Sequence, residues 1–345
     1  MARGGKVIPT GGTAQRIIQS QRIRGVQSIP LDKLIPYHRE IVNGSPIFRD
    51  YSEEKLNQLA DSLERDGQIE NIIVFPSESR SESFEVLSGK QRTMAAKIVV
   101  KRHPERNTLN AVVLDLAQVK ANDWALGDLT YVLTNTQRRD KLFVSELALA
   151  YEMQFQAIKH QGKTVSAGKD TLTEIAKLNQ TSPSFIKCVR QFIPQIAIPE
   201  IIALADADCI PMSAASQTLT RMNKATQRSI IDVMEQAGRQ NGYTMPHICK
   251  MKLTTAVLRQ LKAAYDVKLA QTEDSESCIL TADDLAFLSE GTAKPAQVEF
   301  RAPSKKTLQK VIPEMLWNDR KGAEKYLIEA MDELRRYKEK YGELQ

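Results

Sequence analysis

Short, mainly apolar runs typical of β-strands are confined to the first third of this 345-residue chain. Three runs, at residues 71–75, 84–87 and 111–114, predict buried β-strands. After about Asp123 the helical spacing of apolar residues dominates to about Leu269. Because a small sheet needs helices to cover it, whereas helices can pack on one another, this order predicts an α+β chain. A small N-terminal α/β domain would be followed by an all-α region.

Changes in composition predict four segments. They are a basic flexible tail at 1–26, an α/β domain at 27–122, a helical domain at 123–270, and a linker with a C-terminal helical region at 271–345. The tail has five cations, and no acidic residue precedes Asp32. It is therefore either a solvated tail or an arm that meets DNA or a partner protein. A last helix from about Gly322 has near-heptad spacing, which suits either core packing or dimerisation.

The charge and cysteine content restrict the class of protein. A formal net charge of +6 and a pI of about 9.0 suit a polyanionic partner but do not identify one. The four cysteines contain no CxxC pair and the four histidines are scattered, so we expect neither a metal site nor a disulfide framework. The chain has no apolar stretch of about 20 residues and no secretory signal pattern, which predicts a cytoplasmic protein without membrane contact.

A glycine turn leads from the second predicted strand into a helix that begins near Lys90. Gly89 lies at the change, where a residue without Cβ lets the backbone approach a ligand closely. The first amides of a helix point outward at the positive end of its dipole. Lys90, Gln91 and Arg92 follow, and Arg92 can contact phosphate oxygens through two N–H groups. The segment is either a phosphate-binding turn or an ordinary corner with solvated cations.

A second polar cluster ends a helical segment further along the chain. It contains Asn135, Gln137, Arg138 and Arg139, preceded by Thr134. Side-chain amides next to arginines suit a nucleotide or a phosphate group, and they suit a solvated helix end equally well.

Residues 171–193 have the pattern of a helix-turn-helix. A helix at 171–177 is followed by a polar turn at 178–181 and a second helix at about 182–192, with Pro183 at a first helical position. Ala176, Ile186 and Val189 have the spacing of its core contacts. Asn179 or Gln180 replaces the usual turn glycine. The candidate DNA-binding residues are Thr181, Ser182, Ser184, Lys187, Arg190 and Gln191. A plain helical hairpin in a bundle is the alternative.

Three blocks in this order resemble the ParB-type partition proteins, the broad ParB/RepB group, and in particular plasmid and conjugative-element variants. Residues 52–74 are similar to the family's opening helix and strand. Residues 89–95, Gly-Lys-Gln-Arg-Thr-Met-Ala, resemble its GxxRxxA box. Residues 135–138, Asn-Thr-Gln-Arg, resemble its ENxQR box, and the helix-turn-helix follows at the expected distance. The likeness covers about residues 29–234.

The resemblance implies a dimeric DNA clamp that is regulated by CTP with Mg²⁺ and acts in plasmid or chromosome partition. By position, the nucleotide-binding residues would be Gly89, Lys90, Gln91, Arg92, Asn135, Gln137 and Arg138, joined by Arg49 from the first block. Thr134 stands where the family has a glutamate, and a carboxylate is the natural ligand for Mg²⁺. Mg²⁺ binding therefore stays open, and the chain would be at most a weak CTPase.

Other functions follow from the same modules. One is a transcriptional regulator of a mobile element that binds DNA without nucleotide switching. Another is a nucleotide-hydrolysing or kinase-like enzyme that uses the Gly89 turn. Sulfiredoxins resemble this fold but need a cysteine in that turn, and nuclease-like relatives need clustered carboxylates.

The resemblance to ParB-type proteins also implies double-stranded DNA at the nucleoid as a partner, and a ParA-type ATPase that would bind the basic tail.

Overall fold

A five-stranded sheet organises the first part of the chain. Its strands are β1 (Ile23–Pro30), β2 (Leu34–Pro36), β5 (Ile72–Pro76), β6 (Phe84–Ser88) and β7 (Thr108–Leu114), and a separate hairpin is formed by β3 (Ile41–Val42) and β4 (Ser45–Pro46). The strand order is β1–β7–β5–β6–β2. The outer pair β1–β7 is antiparallel, β7–β5 is parallel, β5–β6 is antiparallel and β6–β2 is parallel.

The computed structural model of this chain describes residues 23–42, 44–121, 123–138, 142–160, 171–240, 242–272, 275–289, 322–323 and 325–330, without the side chains of residues 23, 24, 138 and 160. Residues 1–291 belong to one compact unit and residues 292–345 to a second. Most of the predicted basic tail lies outside the described residues, and so does Asp170, which stands just before the first helix of the predicted helix-turn-helix.

The three predicted strands are confirmed as β5, β6 and β7, but β1 and β2 were not predicted. The predicted tail boundary at residue 26 falls inside β1, which pairs with β7 from Ile23↔Leu114 to Pro30↔Thr108. Val26 is exposed whereas Ile29 is buried. This edge strand is held mainly by backbone pairing to β7, and such pairing leaves little apolar periodicity to detect.

Two helices cover one face of the sheet. Helix α1 spans Glu53–Asp66, and the Ser52 hydroxyl accepts a hydrogen bond from Lys55 N, which makes Ser52 the N-cap of the helix. Gly67 ends the helix at a φ of 74°. Helix α2 spans Lys90–Arg102. The two helices meet at Ala60, Ala95 and Val99, whose small side chains allow close approach.

Helices form the rest of the described chain up to residue 289, in which no strand follows Leu114. They are α3 (Leu116–Val119), α4 (Ala125–Arg138), α5 (Val144–His160), α6 (Thr171–Leu178), α7 (Pro183–Val189), α8 (Pro199–Asp206), α9 (Met212–Ala215), α10 (Lys224–Gln240), α11 (His247–Lys252), α12 (Thr255–Leu269) and α13 (Ala286–Ser289). The predicted α+β class, an α/β region followed by helices, is confirmed.

One apolar core joins the sheet to the helices and continues further than the sequence indicated. It runs from Tyr37 and Phe75 beside the sheet to Leu285 and Leu288 at the end of the unit. The segment at 275–278 is held next to the start of α10, because the amide Nδ2 of Asn223 lies within hydrogen-bond distance of three backbone oxygens, those of Ser275, Glu276 and Cys278. The predicted boundary at residue 270 is therefore an exposed loop within this unit.

Only a few residues near the C-terminus are described. Residues 322–323 and 325–330 are helical, where the sequence predicts a last helix. The heptad positions Met331, Leu334 and Tyr341 lie outside the described residues. In the part of the chain that the structure describes, no helix combines the length and the apolar character needed to cross a bilayer.

Candidate functional site

Gly89 occupies a position at which any other residue would be strained. Its φ of 103° and ψ of 21° are left-handed, and a Cβ at this position would lie 2.4 Å from Ile72 Cγ2. Ile72 is fully buried in β5 and cannot withdraw easily. Gly89 provides no side-chain cap for α2. The first amides of α2 therefore start directly at the end of β6, next to the sheet, in the arrangement that binds anions.

Lys90 and Gln91 fasten the turn to the segment that precedes α1. Lys90 Nζ lies 3.2 Å from Glu40 Oε1 and 3.1 Å from Asp50 Oδ1. Gln91 Nε2 donates to Asp50 Oδ1 at 3.1 Å, and its Oε1 accepts from Tyr51 N at 3.0 Å. Two carboxylates thus offset the charge of Lys90, and an arriving phosphate group would have to compete with them.

Arg92 keeps an unused donor. Its Nη2 makes a long hydrogen bond of 3.4 Å to Glu70 Oε2, whereas Nη1 is buried and has no hydrogen-bond partner. A buried donor of a charged group without a partner costs about 1–3 kcal/mol. The geometry therefore leaves at Arg92 a cation with unmet hydrogen-bonding capacity, which a bound anion would satisfy.

The second polar cluster meets the glycine turn at the end of β6. Asn135 Nδ2 donates to Leu87 O at 3.2 Å and to Tyr131 O at 2.7 Å. Gln137 is half-buried on the same helix, and Arg138 is the last described residue of α4, with its side chain outside the description. Asn135 thus contacts Leu87, which is two residues before Gly89, although Asn135 and Leu87 are 48 positions apart in the sequence.

Thr134 faces the interior. It is 2% exposed, and its hydroxyl donates to Thr130 O at 2.7 Å within α4. It supplies neither a carboxylate nor an exposed oxygen to the turn.

The Arg49 side chain lies against the helices. Its Nη2 donates to Ser145 Oγ at 3.0 Å and pairs with Asp206, and its guanidinium lies 4.2 Å from the centre of the Phe143 ring. Together with apolar side chains of β4, α5 and α8, it lines a cavity of about 370 Å³. The contact with Lys90 and Gln91 is made by its neighbour Asp50.

A buried polar cluster beside the sheet was not found from the sequence. Asp128 accepts from Tyr37 Oη at 2.8 Å and from Arg39 Nε and Nη2 at 3.0 Å each. Burial raises the pKa of the Asp128 carboxyl, and the hydrogen bonds from Arg39 and Tyr37 oppose that shift. This cluster fixes α4 on the chain that follows β2, and so it positions Asn135. In the sequence, this cluster is indicated only by the polar residues at positions 37–39, which precede Asp128 by about 90 positions.

The turn between α6 and α7 is closed by a residue in the left-handed conformation. Gln180 has a φ of 52°, and its N–H donates to Lys177 O at 3.3 Å, while Thr181 N–H donates to Ala176 O at 2.9 Å. These two bonds form a Schellman motif with Gln180 at the position that usually holds glycine. Of the two candidates, Asn179 and Gln180, it is therefore Gln180 that occupies the position of the usual turn glycine.

Helix α7 begins at a polar cap and presents a short polar face. Ser182 Oγ accepts from Phe185 N at 3.1 Å, and Pro183 is the first helical residue. Ala176, Ile186 and Val189 are buried, as predicted. Ser182, Ser184 and Lys187 are exposed, whereas Thr181 and Gln191 are half-buried. The helix is shorter than predicted, because a 3₁₀ turn takes over at Arg190–Phe192.

Arg190 is tied to the helical core. Its Nε and Nη2 donate to Glu152 Oε2 at 2.9 and 2.6 Å, and its guanidinium lies 3.7 Å from the centre of the Phe155 ring. Only 19% of its side chain is exposed. Lys187 is therefore the exposed cation of α7.

Comparison with known proteins identifies the N-terminal part of the chain. Residues 13–128 match the family described as ParB N-terminal domain. The α/β region thus matches the model of that family, and the predicted resemblance to ParB-type proteins is confirmed over this part of the chain. No curated protein matches the chain.

Several solved structures are distantly similar. One is the C-terminally truncated chromosome-partitioning protein ParB from Caulobacter crescentus complexed to the centromeric parS site, at 17% identity, with 65% of this chain and 97% of that chain covered and a TM-score of 0.37. The same protein complexed with CTP-gamma-S has 20% identity, 60% and 99% coverage, and a TM-score of 0.26. A Pnob8-like ParB-N domain has 15% identity, 70% and 97% coverage, and a TM-score of 0.41.

Proposed function

We propose that this chain is a ParB-type partition protein that binds DNA through α6 and α7 and binds CTP at the Gly89 turn. The match to the ParB N-terminal domain family supports the class of protein. The observation that carries the nucleotide site is the meeting of the two polar boxes at the end of β6, where Asn135 bonds to Leu87 O beside a turn that would strain any residue other than glycine.

In this proposal the chain binds the nucleotide through its phosphates. The amides at the start of α2 and Arg92 Nη1 donate to phosphate oxygens, and Lys90 exchanges Glu40 and Asp50 for the ligand. Asn135, Gln137 and Arg138 complete the site from α4. Arg49 joins only by leaving Asp206 and Ser145. Since Thr134 offers no carboxylate, we propose binding of CTP with slow hydrolysis or none, and Mg²⁺ brought by the nucleotide would depend on other oxygens.

Nucleotide titration tests this site. CTP, ATP and GTP are titrated by calorimetry into the full chain, with and without its DNA site. We expect selective binding of CTP, weakened at least tenfold by Arg92→Ala. Arg102→Ala is the matched control, because it removes the same charge from the other end of α2, where Arg102 pairs with Asp61 and Glu64. Preference for ATP or GTP, or equal binding by Arg92→Ala, would contradict the proposal.

The second part of the proposal is that α7 enters the major groove of DNA. Ser184 and Lys187 have the exposure and residue types for base and phosphate contacts. With a site selected from random duplexes, Lys187→Ala should lose about 1–3 kcal/mol of specific binding. Gln191→Ala should lose less because Gln191 is half-buried. Unchanged affinity and unchanged site preference in both variants would overturn the assignment of α7.

Two further parts of the proposal concern assembly. A ParB-type clamp requires a dimer, which sedimentation of the full chain with and without CTP and DNA would detect. A ParA-type partner would bind the basic tail, and deletion of residues 1–24 should then abolish stimulation of its ATPase. DNA binding without any nucleotide binding would instead favour the transcriptional regulator.

A further inference from the structure

The proposed DNA-binding helix has too few cations to hold DNA firmly. Helix α7 exposes Lys187, and α6 adds the exposed Lys177 near the turn. Arg190 is occupied by Glu152 and Phe155. Each neutralised phosphate contributes about 0.9 to the salt dependence of binding, and firm complexes make about 6–10 such contacts. Two lysines per chain, or four in the proposed dimer, fall short of that number, so further cations are expected to contact the phosphates.

A second basic surface lies in the last helices of the same unit. Residues 236–265 contain five lysines and arginines and no aspartate or glutamate. Two of the five are paired, Arg239 with Glu235 and Lys262 with Asp266. The other three are Lys250, Lys252 and Arg259. Lys250 and Arg259 are exposed and Lys252 is half-buried. None of these three forms an ion pair with a carboxylate in the described part of the chain.

The short helix α9 contacts both α7 and α12. Cys188 of α7 donates from its Sγ to Ser216 Oγ at 3.2 Å, just after α9, and α9 also packs against α12. The buried side of α12 is formed by Leu258 and Leu261, both fully buried. Arg259 lies between them in sequence and is exposed, so it is on the outward side of α12.

We infer that Lys250, Lys252 and Arg259 bind the phosphate backbone of the duplex that α7 enters, as a second contact that is independent of DNA sequence. The inference rests on the proposed DNA binding by α7. The exposed hydroxyls of Thr254 and Thr255 at the start of α12 add donors that suit phosphate oxygens. A stretch of thirty residues without a carboxylate suits a polyanion. Because α9 contacts both α7 and α12, the stretch is near the proposed DNA-binding helix, which favours DNA among polyanions.

The test compares two double variants with the same change in net charge. Lys250→Ala/Arg259→Ala removes the two exposed cations. Arg239→Ala/Lys262→Ala, the control, removes two cations of the same stretch that already have carboxylate partners. Binding to the selected site and to an unrelated duplex is measured by fluorescence anisotropy between about 50 and 200 mM salt.

For the first double variant we expect the salt slope to fall by about 1–2. Affinity for both duplexes should fall by the same factor, so the preference for the selected site remains. The control should keep the slope of the wild type, and Lys250→Arg/Arg259→Lys should restore it because the charges are retained. Equal slopes in the two double variants would overturn the inference, as would loss of site preference at unchanged slope.

The outcomes separate this inference from the proposed function. If the wild-type chain binds no DNA, both fail. If Lys187→Ala loses site preference while Lys250→Ala/Arg259→Ala keeps the full salt slope, the assignment of α7 stands and the second contact is wrong. Circular dichroism and thermal unfolding of each variant show whether a change in binding reflects a change in folding.

Discussion

The α/β region and the helical region each contain a turn with a left-handed residue before a helix, and they reach it in different ways. In the α/β region Gly89 is confined by Ile72, which leaves no space for a Cβ. In the helical region Gln180 carries a full side chain at a φ of 52° and is exposed. The first turn is imposed by packing against the sheet, whereas the second is made by local hydrogen bonds. The two turns should therefore respond differently to mutation.

The largest effect is expected for Gly89→Ala. A non-glycine residue at this φ costs about 1–3 kcal/mol, and overpacking against Ile72 adds about 1–3 kcal/mol. We expect a loss of about 3 kcal/mol or more in the free energy of unfolding, measured with urea. Gly44→Ala is the control, since Gly44 also has a positive φ, of 79°, but nothing lies within 4 Å of its Cβ position. Equal losses in the two variants would show that packing does not determine the turn.

A gain in stability is expected for Gln180→Gly. The left-handed conformation costs a non-glycine residue about 1 kcal/mol, which glycine does not incur. Asp208→Gly is a matched case, because Asp208 has a φ of 55° and closes α8 with the same pair of hydrogen bonds, from Asp208 N to Ala205 O and from Cys209 N to Leu204 O. Both variants should raise the midpoint of thermal unfolding. A loss of stability in either would mean that its side chain makes a contact that matters more than the backbone strain.

The smallest effect concerns a polar tether of the helical region and depends on pH. Hydrogen bonds from Lys268 and from Thr281 lower the pKa of Asp284 to about 2, from an ordinary value of 3.8. The lowered pKa stabilises the fold above pH 3.8, and this contribution is lost as the pH falls towards 2. Asp284→Asn should therefore cost about 1 kcal/mol or less at neutral pH, since the pair is partly exposed, and clearly less at pH 2, where the carboxyl of the folded protein is about half protonated.

Unfolding of wild type and Asp284→Asn between pH 2 and 7 measures this difference. The neighbouring Asp283→Asn removes the same charge at an exposed position and serves as the control. A difference that stays constant across the pH range would mean that the ionised carboxylate is not the stabilising group.

The sequence was most informative where the signal is local. The three apolar strands and the burial of Ala176, Ile186 and Val189 were predicted and are present. The prediction was incomplete where stability comes from distant partners. Strand β1 depends on pairing with β7, and the segment 275–289 depends on Asn223 and on the apolar groups that bury Leu285 and Leu288.

The glycine turn shows both contributions at one place. The sequence alone determined that a glycine followed by Lys90, Gln91 and Arg92 lies between a strand and a helix. This was predictable because the apolar spacing of strands and helices, and the presence of a glycine between them, are visible within a few neighbouring residues. Only the tertiary structure decided which of the arginines are free to act. Arg190 pairs with Glu152, 38 positions away in the sequence, and Arg49 pairs with Asp206, 157 positions away. Arg92, by contrast, has a buried N–H group without a hydrogen-bond partner. Such pairings depend on how distant helices pack, and no local pattern contains that information.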